Sequence, residues 1–182
     1  KLDHFLTWPT EEDWLSRQGI WTKLPMAVGT IDGTSHRIYI PEVEPQELYY
    51  LGHRHFHCLH TQVVSDAYEN NTLHRFEFGL MRLLGTYLIF PEELCLLADK
   101  YYPNRTPVLT SYTSAQLARR PLVERRTYSK FNSLIRKYRI RVEHAIADLK
   151  TYKYVGHFGD IQWICTVCAS LVCRRKAIGL IL

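Results

Sequence analysis

The sequence predicts an α/β fold, and three observations carry that reading. Short runs rich in β-branched and aromatic residues crowd the first third of the chain. One later run, Leu94-Cys95-Leu96-Leu97-Ala98, is apolar without interruption. That marks a strand covered on both faces, as in a parallel pair joined by a crossover helix. Between and after the strands, apolar residues recur at helical spacing.

Thr7-Trp8-Pro9-Thr10-Glu11-Glu12 reads as a helix start, with proline early and acids in the first turn, and Trp14, Leu15 and Trp21 would pack it. Ala27–Asp32 follows as a short strand, with Gly33 as a turn residue. His36–Ile40 is a second strand, closed by Pro41, and Phe56–Asp66 a third; strands this close in sequence suggest an antiparallel meander. Arg75–Tyr87 carries Phe76, Leu80, Leu83, Leu84 and Tyr87 at helical spacing and supplies the crossover. Glu93–Asp99 is the fourth strand and Tyr101–Arg105 a loop. From Ser129 to Lys150, Phe131, Leu134, Ile135, Tyr138, Val142, Ala145, Ile146 and Leu149 form one apolar stripe. Glu143 borders that stripe and Asp148 falls on the opposite, solvated side. Gly156 ends the next segment, and Ile161–Ile178 reads as a last buried helix. Three meandering strands, a crossover helix, a parallel strand and flanking helices match the ribonuclease H-like fold. Residues 1–26 are then a helical lead-in and 27–182 the domain itself.

The chain has 182 residues, 46% of them hydrophobic and 23% charged, which excludes disordered and low-complexity classes. No apolar run approaches the roughly 18 residues of a membrane-spanning helix; Ile161–Val172 is too short and meets Arg174, Arg175 and Lys176. The first residue is Lys1 and no secretion signal follows, so the chain reads as a fragment or a trimmed form. Five cysteines, in no complete metal-ligand spacing, read as reduced thiols of an intracellular protein, with Cys58 and Cys95 as small hydrophobes. The Asn70 and Asn104 glycosylation patterns would then stay unmodified.

The formal net charge is +5, and its distribution matters more than its size. Arg119, Arg120, Arg125, Arg126, Lys130, Arg136, Lys137, Arg139 and Arg141 face the single acid Glu124 within one stretch. Acids gather instead at Glu11-Glu12-Asp13 and between Glu42 and Glu47. A solvated helix face is the plain alternative, but an arginine-rich block suits phosphate and points to a polyanion partner, nucleic acid first.

Three acids end or flank apolar elements: Asp32, Asp99 and Glu143. Taken singly, each could merely end a strand or cap a helix. Adjacent parallel strands would bring Asp32 and Asp99 together, and a helix on the sheet could present Glu143 to them. Converging carboxylates are hard oxygen ligands for Mg²⁺ or Mn²⁺. Two such ions about 4 Å apart serve phosphodiester cleavage.

These residues also carry a resemblance. AVGTIDGTSH at Ala27–His36, YLGHRHFHCLHTQVVSD at Tyr50–Asp66, LCLLADKYYPNRTPVL at Leu94–Leu109, FNSLIRKYRIRVEHAIADLK at Phe131–Lys150 and CRRKAIGL at Cys173–Leu180 run through nearly the whole chain. Together they resemble the DDE superfamily endonuclease domain of PIF/Harbinger transposases and harbinger-derived nucleases. The resemblance implies a divalent-metal DNA nuclease–transposase core with a two-ion Mg²⁺ or Mn²⁺ site. Carried over by motif, Asp32 is the first catalytic acid, Asp99 the second and Glu143 the third, with Asp66 an auxiliary metal position. Where many family members have a Gly-rich GSxxD turn, residues 68–76 have neither Gly nor Asp. The family's N-terminal helix-turn-helix region is absent as well. Both departures favour a repurposed copy.

Lys100 and Arg105 directly follow Asp99, and Arg136, Lys137, Arg139 and Arg141 flank Glu143. All six are the expected phosphate contacts on DNA. Tyr101 and Tyr102 are expected in the core rather than stacked on bases. His53, His55 and His57 alternate and would share one strand face, a polar face near the site rather than a transition-metal site. The first functional expectation is metal-dependent DNA cleavage, and strand transfer with it. The second is a domesticated, catalytically weak or inactive DNA-binding adaptor acting with a Myb-like partner. Cleavage of RNA ranks third, since the fold hosts it too. Under the first two, the expected partners are DNA, a Myb-like DNA-binding protein and a second copy of the chain, with no membrane. The expected location is the nucleus, with cytoplasm.

Overall fold

A computed structural model of the chain describes residues 9–42, 45–52, 54–67 and 90–151. The expected crossover helix Arg75–Tyr87, the last helix Ile161–Ile178, His53, Cys165, Cys168 and Cys173 lie outside these residues. Within them the fold is a mixed α/β arrangement: a five-stranded sheet with helices against it.

The first helix, α1 (Glu11–Leu15), opens with a capping box. Thr10 Oγ1 accepts from the Asp13 N–H at 3.1 Å, and Asp13 Oδ2 accepts from the Thr10 N–H at 2.9 Å. The segment packs against the sheet. Trp14 is buried in a cluster with Val28, Ile31, Val64, Leu94, Leu96 and Ala98. Trp21 stacks on Tyr138 with ring centroids 4.4 Å apart.

The strand β1 (Ala27–Arg37) corrects the expected turn at Gly33. It runs unbroken where two strands, Ala27–Asp32 and His36–Ile40, were expected. Its antiparallel partner is β3 (Phe56–Asp66), and the register pairs Gly29 with Asp66 through to Arg37 with Cys58, Gly33 facing Gln62 midway. The pairing with β3 runs on past Gly33, so the glycine need not turn the chain.

The expected meander is corrected too. The order is β2-β3-β1-β4-β5, so β2 (Tyr50–Leu51) is a two-residue stub beyond β3 rather than the neighbour of β1. Its hairpin turn holds His55 at φ 56°, in the left-handed region. His55 is therefore in a turn, and only His57 of the expected histidine face is described in a strand, tilted against the Tyr50 ring at 5.2 Å.

On the other side β1 pairs in parallel with β4 (Cys95–Ala98), as expected of the uninterrupted apolar run. The order continues with β5 (Val108–Thr110), parallel to β4, which the sequence did not announce. Gly29 lies where β1 is squeezed between its two neighbours. A Cβ there would stand 2.7 Å from the Ser65 carbonyl oxygen and 3.0 Å from Leu96 Cδ2, so only glycine fits without a shift.

The short helix α2 (Ser114–Ala118) has its own capping box between Thr113 and Gln116. The long helix α3 (Leu122–Lys150) begins about two turns before the expected Ser129. Its buried stripe is Ile135, Tyr138, Val142, Ala145, Ile146 and Leu149, with Phe131 and Leu134 half-buried. That stripe packs across β1, β3 and β4. Asp148, expected on the solvated side, is half-buried. Cys58 is buried and Cys95 half-buried, both free thiols. Burial pushes the Cys95 thiol up to about 11, so it stays protonated at neutral pH. None of the described helices is long and apolar enough to cross a membrane.

Candidate active site

Asp32 and Asp99 are brought level by strand register. Thr30 of β1 pairs with Leu97 of β4, so each acid lies two residues further along neighbouring parallel strands. Two residues is one full side-chain period, which puts both carboxylates on the same face of the sheet. Each is steadied locally: the Gly33 N–H donates to Asp32 Oδ1 at 2.8 Å, and the Lys100 N–H to Asp99 Oδ1 at 2.6 Å. The chain then turns tightly, the Tyr102 N–H donating to the Asp99 carbonyl at 3.0 Å.

Glu143 comes to the same place from α3, through Arg139 one turn earlier. Arg139 Nη2 donates to Asp32 Oδ2 at 3.0 Å. Its Nη1 lies 3.7 Å from Asp99 Oδ1, and Nη2 lies 3.8 Å from Glu143 Oε1. The three acids singled out in the sequence thus surround a single guanidinium. The Arg139 side chain is only 13% exposed, whereas that of Glu143 is 53% exposed. The cluster is closed at its arginine and open at its glutamate.

This corrects the expected role of Arg139 as an outward phosphate contact. It is a counter-ion of the carboxylates, and its Nε is buried with no hydrogen-bond partner. Arg141 also departs from expectation. Its Nη1 donates to the Ala67 carbonyl at 3.0 Å and its guanidinium lies over the Trp21 ring, so it ties α3 to the end of β3. Lys100, Arg105, Arg136 and Lys137 are exposed.

Asp66 is not brought to the cluster. It stands opposite Gly29, three residues along β1 from Asp32, about 10 Å by strand rise. Its Oδ2 accepts from Arg17 Nε at 3.3 Å, both side chains being 5% exposed. Arg17 also donates to the Asp13 carbonyl and lies over the Trp14 ring. Asp66 therefore anchors the N-terminal segment to the sheet, which replaces the auxiliary metal role expected of it.

Tyr102 was expected only in the core, and its ring does pack against the Trp14 cluster. Its hydroxyl also stands beside the carboxylates. Burial pushes the phenol up to about 12, with the charges of Asp32 and Asp99 adding to the rise and Arg139 opposing it. At neutral pH it is a hydrogen-bond donor facing anions. Tyr101, expected in the core, is instead 83% exposed, with Lys100 Nζ 5.2 Å from its ring centre.

As the side chains stand, no three His, Cys, Asp or Glu among the described residues could hold a metal ion. The donors nevertheless fit Mg²⁺ or Mn²⁺: all are hard carboxylate oxygens, and the point they surround already carries a cation, the guanidinium. No protein-family model, curated protein or solved structure matches the chain.

Proposed function

We propose that the chain is a ribonuclease H-like nuclease core of the PIF/Harbinger transposase type, cleaving DNA phosphodiesters with divalent metal. One observation carries this reading: Asp32, Asp99 and Glu143, far apart in sequence, gather round one cationic centre. Asp32 and Asp99 lie at or just beyond the paired ends of central parallel strands, and Glu143 on the helix packed over them.

In this reading Asp32, Asp99 and Glu143 hold Mg²⁺ or Mn²⁺. A bound ion pair supplies an activated water or 3′-hydroxyl nucleophile and stabilisation of the leaving oxygen. The strand-borne acids are held by neighbouring backbone N–H groups, so they keep their geometry without reorganisation. Tyr102, protonated at neutral pH, stands beside the carboxylates as a neutral phenol and does not act as a base. Exposed Lys100 and Arg105 follow Asp99, and exposed Arg136 and Lys137 precede Glu143 on α3; they would bind DNA phosphates.

The test is Mn²⁺-dependent nicking of supercoiled plasmid by the wild type beside Asp32→Ala. Nicking by the wild type and none by the variant supports the reading. Equal nicking, or none by either, overturns it.

A second reading, binding without cleavage as an adaptor beside a Myb-like protein in the nucleus, is favoured by Arg139 standing where a metal ion would. It predicts salt-sensitive DNA binding with no Mn²⁺-dependent nicking.

A further inference from the structure

We infer that Arg139 is a built-in stand-in for the metal, holding the carboxylates together in the metal-free protein and leaving them when the ion binds. The inference rests on the nuclease reading and adds to it a competition between two cations for one set of oxygens.

Three facts support displacement over permanent pairing. Arg139 makes one good hydrogen bond, to Asp32, while its approaches to Asp99 and Glu143 are 3.7 and 3.8 Å, too long for hydrogen bonds. A permanently paired arginine is commonly bidentate to one carboxylate. Its Nε is buried and unpartnered, which is costly and is relieved if the side chain swings out. The open side of the cluster lies at Glu143, one turn along the same helix, so an exit is at hand.

The arrangement also explains how the acids can sit together without an ion. Three carboxylates would otherwise face one another uncompensated. Arg139 supplies the missing positive charge. A metal ion and the guanidinium cannot both occupy the centre, so binding one releases the other.

The test measures Mn²⁺ binding to the full chain by calorimetry and by the paramagnetic resonance of free Mn²⁺, with melting temperature recorded with and without the ion. Arg139→Gln should bind Mn²⁺ about tenfold more tightly than the wild type, within the usual range for coupled binding. It should melt lower than the wild type without metal and gain more from Mn²⁺. A merely structural arginine would lower both melting temperatures alike. Arg139→Lys keeps the charge but not the fork and should fall between the two; it carries the test if the glutamine variant does not fold. Lys130→Ala, an exposed charge removed from the same helix, should leave Mn²⁺ affinity within about twofold. If Asp32→Ala abolishes Mn²⁺ binding while both Arg139 variants bind no more tightly than the wild type, the stand-in role is wrong and the nuclease reading survives. If the wild type binds no Mn²⁺, or Asp32→Ala binds it equally, the nuclease reading falls and takes the stand-in role with it.

Discussion

Arg139 donates to Asp32 across 3.0 Å, joining the middle of α3 to the central strand of the sheet over 107 residues of sequence. The contact makes the carboxylate cluster part of the packing between helix and sheet. It also removes Arg139 from the outward basic surface, which changes what that surface is expected to do.

DNA affinity should fall steeply with salt, and the exposed Arg136 and Lys137 should carry part of that dependence. Replacing both with alanine should flatten the slope of log K against log salt by about two units, one for each phosphate left without its cation. Filter binding across a salt series measures this; an unchanged slope would put the DNA surface elsewhere.

The buried Arg17–Asp66 pair should be costly to break from one side. Arg17→Met removes one ionic partner of a buried carboxylate and should destabilise by up to about 3 kcal/mol. Adding Asp66→Asn should cost less than the sum of the two single changes, as a double-mutant cycle in urea would reveal.

Two glycines of the same strand should respond differently. Gly29→Ala forces a methyl to 2.7 Å from the Ser65 carbonyl and should cost about 2 kcal/mol. Gly33→Ala meets only the Tyr102 hydroxyl, at an ordinary 3.5 Å, and should change stability by less than about 0.5 kcal/mol. Urea midpoints compare them.

His36 should make stability depend on pH. Burial, and then the charge of Lys150, lower it from 6.5 to about 4, and its Nε2 is buried without a hydrogen-bond partner. The unfolded chain therefore binds a proton that the folded chain refuses. The folded state keeps its full advantage above pH 6.5 and loses it as pH falls towards 4, by about 2 kcal/mol after allowing for partial solvent access. His36→Gln should flatten the fall in melting temperature between pH 7 and about 4.5; a wild type equally stable at both would contradict it.

What was legible in the sequence was what periodicity and composition encode. The apolar stripe of α3 predicted both its buried face and the side on which Glu143 stands. The uninterrupted Leu94–Ala98 run predicted a parallel strand, and so the meeting of Asp32 with Asp99. Gly33 misled because a glycine signals a turn only when no neighbour completes the ladder, and β3 lay further along the chain. A three-residue strand such as β5 carries too little pattern to stand out. Arg17 with Asp66 is a pairing over long separation that no local spacing announces. Arg139 did leave a trace, four residues before Glu143, but an i,i+4 pair alone does not say that two more acids will join it.

The central position of β1 has a consequence for hydrogen exchange. Strand β1 has neighbours on both sides, and α3 covers it. Amides near Asp32 should exchange only when the whole domain unfolds, whereas those of the edge strand β5 open locally. Asp32 thus hangs from the part of the molecule that opens least, Asp99 follows the strand beside it, and Glu143 stands on the helix that covers them. Under the proposed nuclease reading, slow breathing of the surface would admit or release DNA while the carboxylate of Asp32 keeps its place.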